Sequence, residues 1–427
     1  MSLYEAADGL LDTHVTWQDV ESELQKVLAT DAEFGEKRAV FDIGQMKGFL
    51  SKIAMIQADW TYSPKCMDSG ESHLKSKKLP DRIVVKISSE LSLFDFSTLV
   101  SSSQWTIEKM QSMTEMVKDC HNREVGMYRI LMREQPICPI VNVLALESFT
   151  DKNPLKAYII SEYIPDLQHI GMHQVIPVRD LESVVDGIAA FSAMGESMSE
   201  QERSATMGEV YIEEAIKYFY SEHSPDDMRK NFVEVLGVAY EDKIEEAMDI
   251  FDFICNSPSI QKNYSRVSQF LGHRPVLMHS DIWPSNMLFS RSPDDDHLEF
   301  QALIDFQTAS FSSPGLDVGC LMVTCLSKTD RRTRRTEILD RYFDAFLRNL
   351  KPGKSCPYTR EQLDDSFDLC FPAAVILMLP FILSFSIRLG DNILDESIDK
   401  MAGLIEDLVS IHESNQKRFP EFFQPMP

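Results

Sequence analysis

The pattern of apolar and polar positions changes character after Pro165. Before it, short runs of β-branched and aromatic residues stand between turn residues, a pattern typical of strands. After it, apolar residues recur at helical spacing, first in Leu181 to Met194 and then across Val210 to Phe253. We therefore expect a strand-rich domain at residues 1–165 and a mainly helical domain at residues 166–427.

The first domain is expected to open with a helix and to continue with strands. Thr16 and Asp19 have the spacing of a capping box, and an apolar stripe at helical spacing follows them. Pro165 ends the last strand candidate, because proline cannot donate to a strand ladder. The strand candidates are a hairpin from Val40 to Ile56, then Leu79 to Ser88, Val141 to Leu146 and Ala157 to Ile164.

Length and charge narrow the class of protein. At 427 residues the chain exceeds the usual size of one compact core, so two lobes are expected. A formal net charge of −25 would repel a phosphate backbone, which excludes nucleic acid as an expected partner. The basic run from Lys328 to Arg335 is interpreted as a solvated helix start rather than an anion site. Cysteines without zinc-like spacing and an N-terminus unlike a secretory signal favour a cytoplasmic protein with reduced thiols.

The most apolar stretch of the chain runs from Phe371 to Phe385. A bilayer span needs roughly 20 apolar residues, and this stretch is shorter and contains Pro380. We therefore expect a buried helix of the second domain and no membrane span.

The segment from His279 to Asn286 carries candidate chemistry. Asp281 and Asn286 have the separation found in a phosphoryl-transfer loop, where an Asp accepts the proton of an attacking hydroxyl and an amide oxygen holds Mg2+. Asp305 follows an apolar run, as expected of a carboxylate that bridges the metal to the phosphates. A turn cluster between apolar runs predicts a hairpin that brings Asn286 and Asp305 together. A kinase is the leading hypothesis, although an Asp that follows a strand is often only a cap or a turn residue.

The motif H-x-D-x-x-x-x-N followed by I-D-F-Q resembles the choline-kinase-like and aminoglycoside-phosphotransferase superfamily, and within it the ecdysteroid-kinase-like branch with its nematode members. The resemblance extends from about Phe41 to the C-terminal helices. It implies an α+β, bilobal protein-kinase-like fold, with a small N-terminal lobe on an antiparallel sheet and a larger, mainly helical C-terminal lobe. It also implies ATP and Mg2+ as cofactors. Ala189 to Ala193 departs from the family, because it lacks the histidine of an A-x-x-H-A pattern.

In the kinase template, a lysine on a strand holds the α- and β-phosphates and a helix glutamate positions it. Lys86 is the candidate, although a lysine on a strand is more often a surface residue. Glu124, in an E-x-x-x-Y pattern similar to that of the family, is the preferred partner. Glu115 and Glu134 stay open as competitors, because helix phase alone does not choose among them.

Two backbone segments are candidates for contacts with the nucleotide. Gly44 and Gly48 border a turn that would cover the phosphates, and an ordinary turn explains them equally well. Glu162 and Ile164 lie at the end of the last strand candidate, where it leads into the connector at Pro165, and the superfamily resemblance implies that the backbone here hydrogen-bonds adenine.

Two further residues are expected to support the loop. His279 precedes Asp281 by two positions, and hydrogen bonding to backbone near the metal is favoured over a role as substrate contact or acid. Asp317 matches a P-x-x-D segment of the family. The resemblance implies that it accepts backbone hydrogen bonds that hold the loop, and a helix N-cap role is equally compatible.

These residues together predict an ATP-dependent small-molecule kinase, a phosphotransferase with an alcohol group as acceptor. Choline-like compounds, steroid alcohols, sugars and xenobiotic conjugates all present the required hydroxyl. A catalytically silent kinase fold that binds a ligand or acts as a scaffold is the alternative, disfavoured because lysine, base and metal residues all have candidates. A protein kinase is disfavoured by Gln307 in place of glycine and by the lack of an A-P-E segment.

Overall fold

The structure, a computed structural model, describes residues 2–44, 50–62, 79–92, 107–208, 210–220, 225–292 and 296–424. The chain forms two compact units. One comprises Met1–Arg129 with Val141–Pro165, and the other comprises Ile130–Ile140 with Asp166–Pro427. The sequence predicts a single boundary, after Pro165, whereas the structure also assigns residues 130–140 to the second unit.

The first unit is built on strands that pair in antiparallel fashion. They are β1 (Glu33–Phe34), β2 (Ala39–Asp42), β3 (Ser51–Gln57), β4 (Trp60–Thr61), β5 (Arg82–Ser88), β6 (Val143–Glu147) and β7 (Tyr158–Glu162). The main sheet has the order β2-β3-β5-β7-β6, and β1 pairs with β4 separately. In β5, Ile83, Val85 and Ile87 are fully buried at alternate positions, so one face of the strand packs on the core and the other carries Lys86.

Helices also accompany this sheet. Helix α1 (Trp17–Leu28) begins with the predicted capping box, which is confirmed: the Thr16 hydroxyl accepts the N–H of Asp19, whose carboxylate accepts the N–H of Thr16. Helix α2 (Ile107–Glu134) is longer, and its last residues belong to the second unit.

The second unit is mainly helical, and the predicted α+β architecture is confirmed. Its helices are α3 (Val178–Met194), α4 (Glu200–Ser204), α5 (Tyr211–Tyr220), α6 (Pro225–Leu236), α7 (Glu241–Cys255), α8 (Pro258–Ser265), α9 (Val267–Phe270), α10 (Gly315–Cys325), α11 (Lys328–Thr333), α12 (Arg335–Asn349), α13 (Arg360–Leu389) and α14 (Asp395–Arg418). Its strands are β8 (Leu167–Gln168), β9 (Val276–Met278), β10 (Met287–Arg291), β11 (Leu298–Leu303) and β12 (Ser310–Ser312). β10 pairs with β8 and β11, and β9 pairs with β12.

Helix α13 contains the most apolar stretch of the sequence. The helix has 30 residues, so it is longer than the apolar stretch alone, and by length and composition it could cross a membrane. Its most apolar window is 78% buried inside the protein, as predicted for a core helix. Pro372 and Pro380 both lie within it.

The crossing of α10 and α13 positions one of the candidate residues. A Cβ added at Gly315 would lie 2.4 Å from the backbone nitrogen of Phe367, so only glycine permits this approach. The N–H of Gly315 donates to the hydroxyl of Ser366 at 2.8 Å. The first turn of α10, which carries Asp317, is therefore held against α13.

Candidate active site

Lys86 and Glu124 form an ion pair in the first unit. Lys86 lies in β5, the central strand of the main sheet, with Ile53 of β3 and Ile159 of β7 as its cross-strand neighbours. Its Nζ lies 2.7 Å from Oε2 of Glu124, which α2 carries. The side chain of Glu124 is 2% exposed and that of Lys86 is 17% exposed. The pair is sheltered, yet the lysine keeps the access to solvent that a ligand-binding cation requires.

The two competing glutamates on α2 are engaged elsewhere. The side chain of Glu115 is 78% exposed. Glu134 forms an ion pair with Lys351. Of the three glutamates that the sequence left open, Glu124 is the one that lies beside Lys86.

The first unit also carries the backbone segments that the sequence indicated as candidates for contacts with a nucleotide. A Cβ added at Gly44 would lie 2.7 Å from a side-chain carbon of β3, so the chain passes close to that strand. Gly48 lies outside the described residues. Glu162 is exposed, and its N–H donates to the carbonyl of Asn142 at 3.0 Å, so this N–H is not available to a ligand. Ile164 lies two residues further on and is partly buried.

In the second unit, the loop that carries Asp281 connects β9 to β10. It ends in the short 3-10 turn Pro284–Asn286. Nδ2 of Asn286 donates to Oδ2 and to the backbone oxygen of Asp281, both at 2.8 Å. Because carboxylate and carbonyl oxygens only accept, the amide orientation is fixed and Oδ1 of Asn286 faces away from Asp281. Asp281 is half-buried and Asn286 is buried.

The predicted hairpin of β10 and β11 is present, and it brings Asn286 next to the residue before Asp305. Met287 pairs with Leu303. The N–H of Ile304 donates to the carbonyl of Asn286 at 3.0 Å. Asp305 follows directly, in a left-handed backbone conformation with φ 69°. Asn286, directly before β10, and Asp305, two residues after β11, thus lie at the same end of the hairpin.

These two residues fit a magnesium site. Mg2+ prefers oxygen ligands, and in nucleotide sites it takes one or two carboxylates while water and phosphate fill the remaining positions. Asn286 and Asp305 supply an amide oxygen and a carboxylate. In the part of the chain that the structure describes, no group of three or more His, Cys, Asp or Glu side chains could hold a metal. An amide oxygen and one carboxylate are ligands of the kind that Mg2+ takes where a nucleotide supplies the others.

His279 connects the segment before Asp305 to the loop that carries Asp281. Its Nε2 lies 2.9 Å from the carbonyl oxygen of Ile304, and its Nδ1 lies 3.3 Å from the backbone nitrogen of Asp281. Since the carbonyl accepts and the backbone N–H donates, the ring is the neutral tautomer with its proton on Nε2. His279 is also fully buried. With both nitrogens engaged by backbone, the ring holds the loop in place and is not available as a substrate contact or an acid.

Asp317 holds the start of the same loop. Its Oδ2 accepts the N–H of His279 at 2.7 Å, and its Oδ1 accepts the N–H of Ser280 at 2.8 Å. Ser280 has a φ of 69°, a conformation that non-glycine residues adopt only at a cost in free energy. The N-cap position of α10 is occupied by Pro314 rather than Asp317. The carboxylate of Asp317 therefore stabilises a strained turn directly before Asp281.

The pKa of Asp317 leads to a testable pH dependence. Burial raises it from 3.8 to about 6, although the two backbone N–H groups lower it. Between these values the folded protein holds a proton that the unfolded chain has released, so the free energy of unfolding falls as pH rises from 3.8 to 6. We expect this fall, on the order of 3 kcal/mol by the linkage relation, to be absent in Asp317→Asn.

The measurement is urea unfolding of both proteins across that pH range, with the difference between them plotted against pH. Other titrating groups are common to both proteins and cancel in the difference. A difference that does not change with pH would show that Asp317 stays ionised throughout, contrary to this expectation.

The sequence did not indicate three residues that border the loop. The hydroxyl oxygens of Ser280 and Ser310 lie 2.6 Å apart, and the hydroxyl of Thr308 donates to the carbonyl of His279 at 3.1 Å. Tyr211 at the start of α5 is buried, and burial followed by the charge of Asp281 raises its pKa. Thr308 and Ser310 follow Asp305 closely in sequence, and this position could have indicated that they border the loop. Tyr211 is distant in sequence, and no pattern indicated it.

A family model, DUF1679, described as "Uncharacterized oxidoreductase dhs-27", matches residues 3–416. No curated protein matches the chain.

Among solved structures, the chain is similar to a Plasmodium vivax ethanolamine kinase, at 12% identity over 88% of this chain and 84% of that chain, with a TM-score of 0.40. A choline kinase from Cryptosporidium parvum is 11% identical over 91% of this chain and 92% of that chain, with a TM-score of 0.43. A microcompartment-associated aminopropanol kinase is 11% identical over 96% of this chain and all of that chain (100%), with a TM-score of 0.43. All three of these solved structures are named as kinases.

Proposed function

The chain belongs to the DUF1679 family, and we propose that it transfers the γ-phosphoryl group of ATP to a hydroxyl group of a small molecule. The observation that carries this proposal is the arrangement in the second unit. Asp281 is hydrogen-bonded to Asn286, and the β10–β11 hairpin brings Asn286 beside the segment that carries Asp305. A base, an amide oxygen and a second carboxylate in this order are the parts of a phosphoryl-transfer site.

The proposed roles follow from the contacts of each side chain. Asp281 has one carboxylate oxygen on the amide of Asn286, and its other oxygen would accept the hydrogen bond of the acceptor hydroxyl. That hydroxyl oxygen forms a bond to the γ-phosphorus, the bond to the β–γ bridging oxygen breaks, ADP leaves, and the hydroxyl proton passes to Asp281. Asn286 and Asp305 would hold Mg2+, which neutralises charge on the phosphates when bound.

Lys86 would contribute charge to the same reaction. Its ammonium, paired with Glu124 at 2.7 Å, would hold the α- and β-phosphates of ATP. An Asp has an ordinary pKa of about 3.9, so at neutral pH Asp281 would act mainly by positioning and take the proton late. Most of the rate acceleration would then come from geometry and charge neutralisation.

The family description names an oxidoreductase, and the chain offers little support for hydride transfer through a dinucleotide. A dinucleotide-binding fold places a G-x-G-x-x-G turn between a strand and a helix of a parallel sheet. The sequence contains no G-x-G at any position. The named strands of the described chain all pair in antiparallel fashion.

The experiment that tests the proposal is a screen for ATP consumption. Purified protein is incubated with Mg-ATP and, one at a time, choline, a sterol alcohol, a hexose and a glucoside, and ADP and phosphorylated product are measured. We expect one class of alcohol to stimulate ADP formation with equimolar phosphorylated product. Binding of Mg-ATP without transfer to any alcohol would favour the catalytically silent fold, and failure to bind Mg-ATP would overturn both.

A further inference from the structure

Residues 2–5 lie against two elements of the first unit that the proposed reaction uses. Leu3 is 2% exposed. Its carbonyl accepts the N–H of Glu90 at 3.1 Å and the hydroxyl proton of Ser89 at 3.3 Å. Ser89 and Glu90 are buried and directly follow β5, the strand that carries Lys86. The backbone of Leu3 is thus attached to the end of this strand.

The side chains of the same segment contact α2, the helix that carries the glutamate of the ion pair. Leu3 shares one buried cluster with Val117 of α2. Tyr4 packs against Met113, and its hydroxyl oxygen accepts the side-chain N–H of Gln111 at 3.1 Å. The segment therefore joins the first half of α2 to the end of β5.

The orientation of α2 decides whether Glu124 reaches Lys86. Glu124 follows Val117 by seven positions, about two turns of an α-helix, so the two side chains lie on the same face. Close to Leu3, the hydroxyl of Thr114 on α2 also donates to Oε1 of Glu90 at 2.5 Å. A rotation of α2 at Val117 would move Oε2 of Glu124 away from Nζ of Lys86, from which it lies 2.7 Å.

We propose that Leu3 is a positioning residue for Lys86, and that residues 2–5 hold α2 in the orientation in which Glu124 pairs with this lysine. An apolar side chain offers no hydrogen bond or charge to a phosphate, so Leu3 would act only through the ion pair. A buried leucine resists displacement, because its exposure to water costs free energy. The inference rests on the proposed function, because it concerns the phosphate contact of Lys86.

A purely structural role for residues 2–5 makes a different prediction. Helix α2 is also attached to the end of β6, where Nε2 of His121 lies 2.8 Å from the carbonyl oxygen of Glu147. Asn122 donates to the carbonyl of Phe149 at 3.1 Å and accepts its N–H at 2.9 Å. If these contacts set the orientation of α2, loss of Leu3 would lower the stability of the first unit and leave its affinity for a nucleotide unchanged.

Two truncations of buried leucines separate these roles. Leu3→Ala removes the side chain from the cluster that it shares with α2. Leu24→Ala is the matched control, because Leu24 is fully buried in a separate cluster that packs α1 against the sheet. Both variants should have a lower melting temperature, since each leaves a cavity. Tyr4→Ala is a milder variant, because Tyr4 is half-buried, and it replaces Leu3→Ala in every comparison if Leu3→Ala does not fold.

The readout is calorimetric binding of Mg-ATP. We expect Leu3→Ala to weaken Mg-ATP about 5-fold or more, and Tyr4→Ala at least about 2-fold, within the range by which residues without a ligand contact change affinity. Leu24→Ala should bind Mg-ATP as wild type does, despite its lower melting temperature.

A double-mutant cycle with Glu124→Gln tests whether the effect passes through the ion pair. Glu124→Gln replaces the carboxylate with a neutral amide and should itself weaken Mg-ATP about 10-fold. If Leu3 acts through this pair, Leu3→Ala in the Glu124→Gln background should weaken Mg-ATP by less than about 2-fold more. Independent effects would multiply instead.

Wild-type affinity for Mg-ATP in both Leu3→Ala and Tyr4→Ala would overturn the inference. Losses that multiply in the cycle would also overturn it, because Leu3 would then act independently of Glu124. An equal loss of affinity in Leu24→Ala would indicate a general effect of destabilisation, with the same consequence. Each of these results leaves the proposed function intact, since wild type still binds Mg-ATP. A wild-type protein that does not bind Mg-ATP would remove the proposed function, and the inference with it.

Discussion

Replacement of Asp281 with asparagine is expected to lower the rate of phosphoryl transfer roughly 10²- to 10⁴-fold, the range for loss of a positioned general base. Nδ2 of Asn286 donates to Oδ2 of Asp281 at 2.8 Å. In the variant the new amide keeps this bond through its oxygen, and its NH2 group then faces the acceptor. The acceptor hydroxyl therefore meets a donor where it needs a proton acceptor.

The affinity for Mg-ATP should change little in Asp281→Asn, because the proposed metal contacts come from Asn286 and Asp305. The measurement is kcat with an alcohol substrate, together with Mg-ATP binding by calorimetry. Asp226→Asn is the matched control, since its side chain is 95% exposed, and both quantities should stay at wild-type values. A parallel loss of Mg-ATP affinity in Asp281→Asn would instead indicate that Asp281 binds the metal.

The loop and its hairpin could be predicted because they depend on neighbours in sequence. Asp281 and Asn286 are five positions apart, and the two strands that bring Asn286 towards Asp305 follow each other directly in chain order. Local spacing and alternation of apolar residues are sufficient to predict such an arrangement.

Contacts between distant segments could not be predicted in this way. The choice of Glu124 over Glu115 depends on how α2 is rotated against the sheet, and the 78% exposure of Glu115 follows only from that packing. The contact of His121 with the carbonyl of Glu147 depends on where the end of β6 meets α2. A pattern along one helix cannot show which segment will cover it, because packing sets the rotation of the helix.

Lys400 is the clearest case of a residue that only the structure explains. It lies on α14 with no exposed surface, beside the buried Met401 and Leu404. Its Nζ donates to the carbonyls of Met172 and Gln174 at 2.8 Å each, and to the carbonyl of Thr324 at 2.5 Å. Three segments far apart in sequence thus meet at one ammonium group.

The contact with Thr324 has a specific physical reason. Thr324 is in the last turn of α10, where carbonyls have no partner within the helix. The partial negative charge at a helix C-terminus favours a cation there. The segment of Met172 and Gln174 continues to Ile176, whose N–H donates to the carbonyl of Cys325 at 2.7 Å. Lys400 therefore fastens this segment to the end of α10.

We expect Lys400→Met to lower the free energy of unfolding of the second unit by about 2–4 kcal/mol, because buried carbonyls lose their donor. Part of the loss is offset, since the variant no longer buries a charge. Urea unfolding followed by far-ultraviolet circular dichroism measures the change. Lys328→Met is the matched control, because Lys328 pairs with Glu406 of the same helix but is 22% exposed, and such a pair contributes about 1 kcal/mol or less.

The difference in the free energy of unfolding between wild type and Lys400→Met should also depend on pH, which provides a second test. Burial lowers the pKa of Lys400 from 10.5 to about 7. Between these values the unfolded chain binds the proton that the folded protein has released, so the contribution of this group to the free energy of unfolding rises with pH. The gap in stability between wild type and Lys400→Met should therefore be larger at a pH of about 9 than at about 6. A gap that stays constant would mean that the three carbonyls keep Lys400 protonated throughout this range.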